Sequence, residues 1–235
     1  MVEITDLYKK FGKNQVLNGI DLNINKGGIF AVLGPNGSGK TTIIKSILGM
    51  VLPDRGTIKV FDADVNKNSS YRHQIDYLPQ IANFPSNLKV NELIKMIKDL
   101  RGQTNADQKL ISLFKLEPFL NKRLGTLSGG TKQKVNIILT FMFNSPIIIL
   151  DEPTTGLDPI SLIRLKELIQ NEKAKGKTVL ITSHIMSFVE EVADEIVFIL
   201  EGKIYFKGTI KELKTLTKQQ DFEHAIANIL NENHA

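Results

Sequence analysis

Cysteine is absent from the 235 residues. That excludes disulfides and thiolate metal sites, and it fits a reducing compartment. Long apolar runs are also missing. A membrane span needs ~18 to 20 such residues, whereas the longest candidates are residues 136–143, interrupted by Thr140, and residues 147–150. The opening Met1-Val2-Glu3-Ile4-Thr5-Asp6 has neither the basic start nor the apolar centre of a secretion signal. The expectation is a soluble cytoplasmic chain that reaches a membrane only through another protein. Excess charge is small, at +5, and lysines alternate with acids, as in Lys211-Glu212-Leu213-Lys214. No nucleic-acid surface is expected from such a distribution.

What is present is an alternation of patterns. Residues 2–5 and 17–24 alternate apolar and polar, which predicts antiparallel strands. Residues 29–33 form a continuous apolar run ending at Gly34, the mark of a buried parallel strand. Residues 41–48 have helical spacing. Three further core strands are predicted at 147–150, 178–182 and 195–200, with a helix over 160–175 between the first two. Strands alternating with helices give an α/β parallel sheet covered on both faces. From Pro85 to Pro146 the pattern becomes helical, at 90–100, 107–114 and 130–143. The reading is one domain, with residues 1–84 and 146–208 forming an α/β core that has an antiparallel β part. Residues 85–145 form an inserted helical subdomain, and 209–235 a short C-terminal helical tail after a hairpin strand at 202–208.

Between the buried strand and the first helix stands Gly34-Pro35-Asn36-Gly37-Ser38-Gly39-Lys40-Thr41-Thr42, which fits G-x-x-x-x-G-K-[ST]. Glycines let such a loop curl until successive backbone N–H groups point at phosphate oxygens. A helix starting near Lys40 adds its positive dipole end. Lys40 can bridge the outer phosphates of ATP, and the Thr41 hydroxyl can ligate Mg²⁺. Ile147-Ile148-Ile149-Leu150-Asp151-Glu152 places two acids at the end of a buried strand, on the edge where α/β proteins bind ligands. Asp151 is the expected metal residue, and Glu152 the candidate to orient and deprotonate a water.

Leu127-Ser128-Gly129-Gly130 narrows the field, with Ser128 lying 23 residues before Asp151. It resembles the signature sequence of ABC ATPases, and other elements of that family fall into order along nearly the whole chain. Gln80 matches the Q-loop glutamine, Gly156-Leu157-Asp158 the D-loop and His184 the switch histidine. Phe11 matches the aromatic that stacks on adenine, with Val16 completing that contact. Thr131 departs from the glutamine that many relatives carry there, and Phe11 lacks the hydroxyl of a tyrosine. His73, His224 and His234 receive no role.

The resemblance implies an active ATPase with ATP and Mg²⁺ as its ligands. Catalytic work falls to Glu152, His184 and Gln80. Thr41, Gln80 and Asp151 hold the metal, and residues 34–42, Phe11, Val16, Ser128, Gly129, Gly130 and Asp158 form the nucleotide site. It further implies a head-to-tail homodimer, or a heterodimer with a paralogous ATPase, in which Ser128 and Gly130 of one copy close on the γ-phosphate held by the other. The partner in the membrane would be a separate polytopic permease, received near residues 80–88 and the helices beyond. The chain would then be peripheral on the inner face of the cell membrane, driving export rather than import. Its general look also resembles ATPases of multidrug and copper-processing systems, including those beside nitrous oxide reductase genes. The alternative from another class is an assembly ATPase of the iron–sulfur type.

Overall fold

The computed structural model describes residues 1–102 and 107–232. His234 and the last residues of the expected tail lie outside them. In chain order the elements are β1 (Val2–Phe11), β2 (Asn14–Ile24), β3 (Gly28–Leu33), α1 (Lys40–Ile47), β4 (Arg55–Val60), β5 (Ala63–Asp64) and β6 (Ile75–Leu78). Then come α2 (Val90–Arg101), α3 (Asp107–Leu113), α4 (Gly129–Phe141), β7 (Ile147–Asp151), α5 (Pro159–Ala174), β8 (Thr178–Ser183) and α6 (Met186–Val192). The chain continues through β9 (Glu195–Leu200), β10 (Lys203–Gly208), α7 (Ile210–Thr217) and α8 (Phe222–Glu232).

Two sheets result. One is antiparallel, in the order β2-β1-β4-β5, and the other is six-stranded, in the order β10-β9-β3-β8-β7-β6. In the second, β9, β3, β8, β7 and β6 run parallel and only β10 is antiparallel. The continuous apolar stretches of β3, β7 and β8 are buried on both faces, as a doubly covered parallel sheet requires. On one face, Ile43, Ile44 and Ile47 of α1 share a core with Val32, Ile149 and the inner face of the antiparallel sheet. On the other, Leu150, Ile181 and Phe198 pack with Val135 and Ile138 of α4 and Leu165 of α5.

Some elements differ from the sequence expectation. β1 runs on to Phe11 because a bulge absorbs the break in alternation: the pairing register shifts after Ile4, and Asp6 adopts φ 51°. The short strand β4 has only Ile58 and Val60 as buried apolar positions. It is a strand because β1 offers it a pairing edge, a tertiary cause that local pattern does not carry. α6 spans barely two turns and was likewise unpredicted.

The helical stretch is tied to the sheet at β6. Thr140 of α4 donates to the Tyr77 carbonyl at 3.3 Å, and Asn136 to that of Pro79 at 3.0 Å. The buried Asp76 carboxylate takes a hydrogen-bonded ion pair from Arg101, at the end of α2, and the Ser145 N–H at 3.2 Å. Burial pushes the Asp76 carboxyl up, and the Arg101 charge is the largest influence pulling it back. Removing one partner of a buried pair leaves an uncompensated charge, at a cost of about 3 kcal/mol. Arg101→Met should therefore lower the unfolding free energy in urea by about that amount. An unchanged midpoint would show that the pair is not needed.

Candidate functional site

The parallel strands deliver their carboxyl ends to one edge. β3 runs into the glycine-rich loop, in which Pro35, Asn36 and Gly37 are exposed while Gly34, Ser38, Gly39 and Lys40 are buried. The loop is braced from behind, where Gly202 N–H donates to the Ser38 carbonyl at 3.3 Å. Gly39 caps α1 in a left-handed conformation, φ 106°. A Cβ there would lie 2.7 Å from Leu17 Cδ2 and 3.0 Å from the Val16 carbonyl. Val16, itself half-buried, thus forms the floor beneath the loop. The Lys40 ammonium curls inward and donates to the Gly34 carbonyl at 2.7 Å and that of Pro35 at 3.1 Å. Burial lowers its pKa, and the nearby Glu152 and Asp151 oppose that shift. Among the described residues the buried Ser38 hydroxyl has no partner. A loop with an orphaned hydroxyl, an inward-turned ammonium and a helix N-terminus suits a phosphate chain.

The two acids face this cradle. Asp151 ends β7 opposite Thr182 in the register. Its Oδ1 accepts from the Thr182 hydroxyl and, at 3.4 Å, from that of Thr41. Glu152 turns out of the strand at φ 49°, a conformation that costs a side-chain-bearing residue about 1 kcal/mol or more. Its N–H is held by both the carbonyl and the hydroxyl of Thr182, each at 3.1 Å. That turn aims the buried carboxylate at His184, whose Nδ1 lies 2.9 Å from Oε2. The imidazole is largely exposed, so one ring edge holds Glu152 while the other faces solvent. Among the described residues no three His, Cys, Asp or Glu side chains cluster as a metal cage. One carboxylate beside one hydroxyl instead suits Mg²⁺, which keeps several waters and shares phosphate oxygens.

Other expected residues lie around the rim. Gln80 is exposed beyond β6 on the same sheet edge. Phe11 is half exposed, not a core aromatic, and the Lys9 ammonium sits 5.4 Å from its ring centre. Thr42 lies half-buried in α1. Ser128 caps α4, accepting the Thr131 N–H at 3.3 Å and sharing a 2.8 Å hydroxyl contact with Thr131. Nothing lies within 4 Å of where a Cβ on Gly129 would point, and the nearest atom to one on Gly130 is the Gly156 carbonyl. At the helix tip, Ser128 and Gly129 are exposed and Gly130 is half-buried. Asp158 caps α5, and its carboxylate is engaged by Ser161 and Lys134.

A family model described as ABC transporter matches residues 17–155. The chain belongs to that family. This cassette is an ATP-binding subunit and an ATPase. A second model, described as an AAA domain and putative AbiEii toxin of a type IV system, matches only residues 121–190. The cassette is 37% identical to the lantibiotic transport ATP-binding protein SrtF of Streptococcus pyogenes, over 87% of this chain and 89% of that protein. It is 32% identical to the Nod factor export ATP-binding protein I of Burkholderia orbicola, over 88% and 70%. Among solved structures, an ATP-binding subunit of an ABC transporter superimposes with a TM-score of 0.91 at 28% identity, covering 98% of this chain and 99% of that one. A dimeric ATP-binding cassette in a post-hydrolysis state, bound to ADP and Pi, shares the fold with a TM-score of 0.80 at 24% identity, over 89% and 98%.

One site residue of the cassette escaped the sequence reading: Thr182, which holds both Asp151 and the Glu152 backbone. Its signal was a hydroxyl at the penultimate position of a buried strand otherwise free of polar side chains except Thr178 and Ser183.

The glycines separate conformational demand from space. Gly37 needs φ 83° but has open room for a Cβ, whereas Gly39 needs φ 106° and has none. Gly37→Ala should cost about 1 kcal/mol and Gly39→Ala about 2 to 3 kcal/mol, measured by urea unfolding without nucleotide. Equal losses would contradict the packing behind Gly39.

Proposed function

We propose that this cassette powers export through a separate polytopic permease, working as a head-to-tail pair on the inner face of the membrane. The observation that carries the proposal is the Glu152–His184 contact beside Lys40 and Asp151, a base, its orienting partner, a phosphate clamp and a metal-binding carboxylate on one edge. Glu152 positions and deprotonates the attacking water, and His184 fixes the Glu152 carboxylate and donates toward the γ-phosphate. Lys40, Ser38 and the loop N–H groups bind the phosphates, and Phe11 with Val16 stacks the base. Mg²⁺ held by Thr41, Asp151 and Gln80 would draw charge from the outer phosphates. The exposed tip at Ser128–Gly130, with the N–H donors of a helix start, closes on the γ-phosphate of the second copy. Asp158 holds the loop beside that tip. One compact chain cannot aim both anion sites at one phosphate, so two copies make two composite sites.

The permease docks beside β6. A cavity of about 700 Å³ lies there between β6, α2 and α4, lined by Tyr77, Ile81, Phe84, Leu100 and Phe143 among others. Ile81 and Leu100 are each 76% exposed and Met50 62%. Apolar side chains around a concave mouth are what a short amphipathic segment of a membrane subunit would cover.

Glu152→Gln should still bind ATP and pair, while phosphate release falls at least about 100-fold. Light scattering with ATP and a phosphate-release assay check this; wild-type turnover would remove Glu152 from the mechanism. Leu100→Glu should abolish co-purification of the permease and leave basal hydrolysis intact. Retained co-purification would move the docking site elsewhere.

A further inference from the structure

Phe11 closes β1 at the tip of the β1–β2 hairpin, where its ring is half exposed. Exposure of that kind leaves a side chain free to change rotamer unless a neighbour fixes it. Lys9 is such a neighbour. Residues i and i+2 of a strand point to the same face, and the Lys9 ammonium stands over the Phe11 ring, 5.4 Å from its centre. A cation within about 6 Å of a ring centre is attracted to the face. Lys9 is held in turn: its side chain is largely covered, and its Nζ donates to Asp54 Oδ1 at 2.9 Å. Asp54 is clipped to β1 twice more. Its Oδ2 accepts the Lys10 N–H at 2.7 Å, and its own N–H donates to the Tyr8 carbonyl at 2.9 Å. The Lys10 N–H, and after it the Lys9 bond, lower the Asp54 pKa, so the anchor is charged at neutral pH. Asp54 follows α1, the helix that starts in the phosphate loop.

We infer that Lys9, anchored by Asp54, is a positioning residue for the nucleobase: it holds one side of the Phe11 ring and leaves the other side to the base. The inference rests on the reading of Phe11 as the stacking platform. A ring already fixed when the nucleotide arrives loses less entropy on binding. The cation also draws π density toward its own side, which suits the far side to an electron-rich purine. An exposed ion pair contributes little to folding, so the Lys9–Asp54 pair serves the platform more than the stability of the chain. Other groups hold Lys40 and Glu152, so Lys9 acts on binding and not on the chemical step.

The test is MgADP affinity, by calorimetry on the full chain, with kcat and KM for ATP alongside. The set is wild type, Lys9→Met, Lys9→Arg, Phe11→Leu and the double variant Lys9→Met with Phe11→Leu. Lys9→Met should weaken ADP binding about 3-fold, raise KM for ATP in step and leave kcat within about twofold. Lys9→Arg should restore the affinity, because a guanidinium also stacks on an aromatic face. Phe11→Leu should weaken binding about tenfold, and adding Lys9→Met to it should cost nothing further. Wild-type affinity in Lys9→Met, or losses that multiply in the double variant, would show that Lys9 does not act through the ring; the inference then falls and the platform stands. Full affinity in Phe11→Leu removes the platform, and the role of Lys9 with it. Should circular dichroism show that Lys9→Met does not fold, Asp54→Asn takes away the anchoring charge and keeps an oxygen for the Lys10 N–H. It must then weaken ADP binding in the wild type and leave Phe11→Leu as it was.

Discussion

Two acids in direct succession, Asp151 and Glu152, are buried at the end of one strand, and the Lys40 ammonium is the buried cation set against them. Burying such groups is costly unless each is held in place. Much of the local structure can be understood as the holding. Thr182 bonds Asp151 and pins the Glu152 backbone, His184 takes the Glu152 carboxylate, and the Gly34 and Pro35 carbonyls take the ammonium. The strained turn at Glu152 belongs to the same constraint. Without φ 49° the second acid would continue along the strand direction and miss the histidine.

The parallel sheet makes that arrangement attainable. β3, β7 and β8 are neighbours and parallel, so a loop, an acid pair and a histidine far apart in sequence emerge side by side. β6 extends the same edge to Gln80 and then leads into the helical stretch. The apolar hollow runs along β6 and past its carboxyl end, where Pro79 and Ile81 flank Gln80. Tyr77 of that strand lines the hollow, and its hydroxyl is pushed up to about 12 by burial and, next, by the charge of Asp151. The proposed docking hollow thus borders a strand that lies within the electrostatic reach of Asp151.

Most of this was legible in the chain itself. The loop of residues 34–42 is recognisable because phosphate binding needs glycines and a lysine at fixed offsets, and the acid pair because a polar break after four buried aliphatics stands out. Helices α2, α4 and α5 announced themselves by spacing. What stayed hidden was set by partners distant in sequence. β4 is a strand because β1 has a free edge, and Thr182 matters because it lies opposite Asp151 in the register. The Lys134–Asp158 pair likewise joins residues distant in sequence. Phe11 could have been a core aromatic by composition; only its exposure decided that it is not.

The absence of cysteine allows a direct measurement of the proposed head-to-tail pairing. In a Glu152→Gln background, one population carries Asn36→Cys in the phosphate loop and a second carries Lys132→Cys just past the α4 tip. Mixed with a short thiol cross-linker, ATP and Mg²⁺, they should give a covalent product joining the two populations, and little of it without ATP. Cross-linking that ignores ATP, or joins only like populations, would contradict a nucleotide held between the loop of one copy and the helix tip of the other.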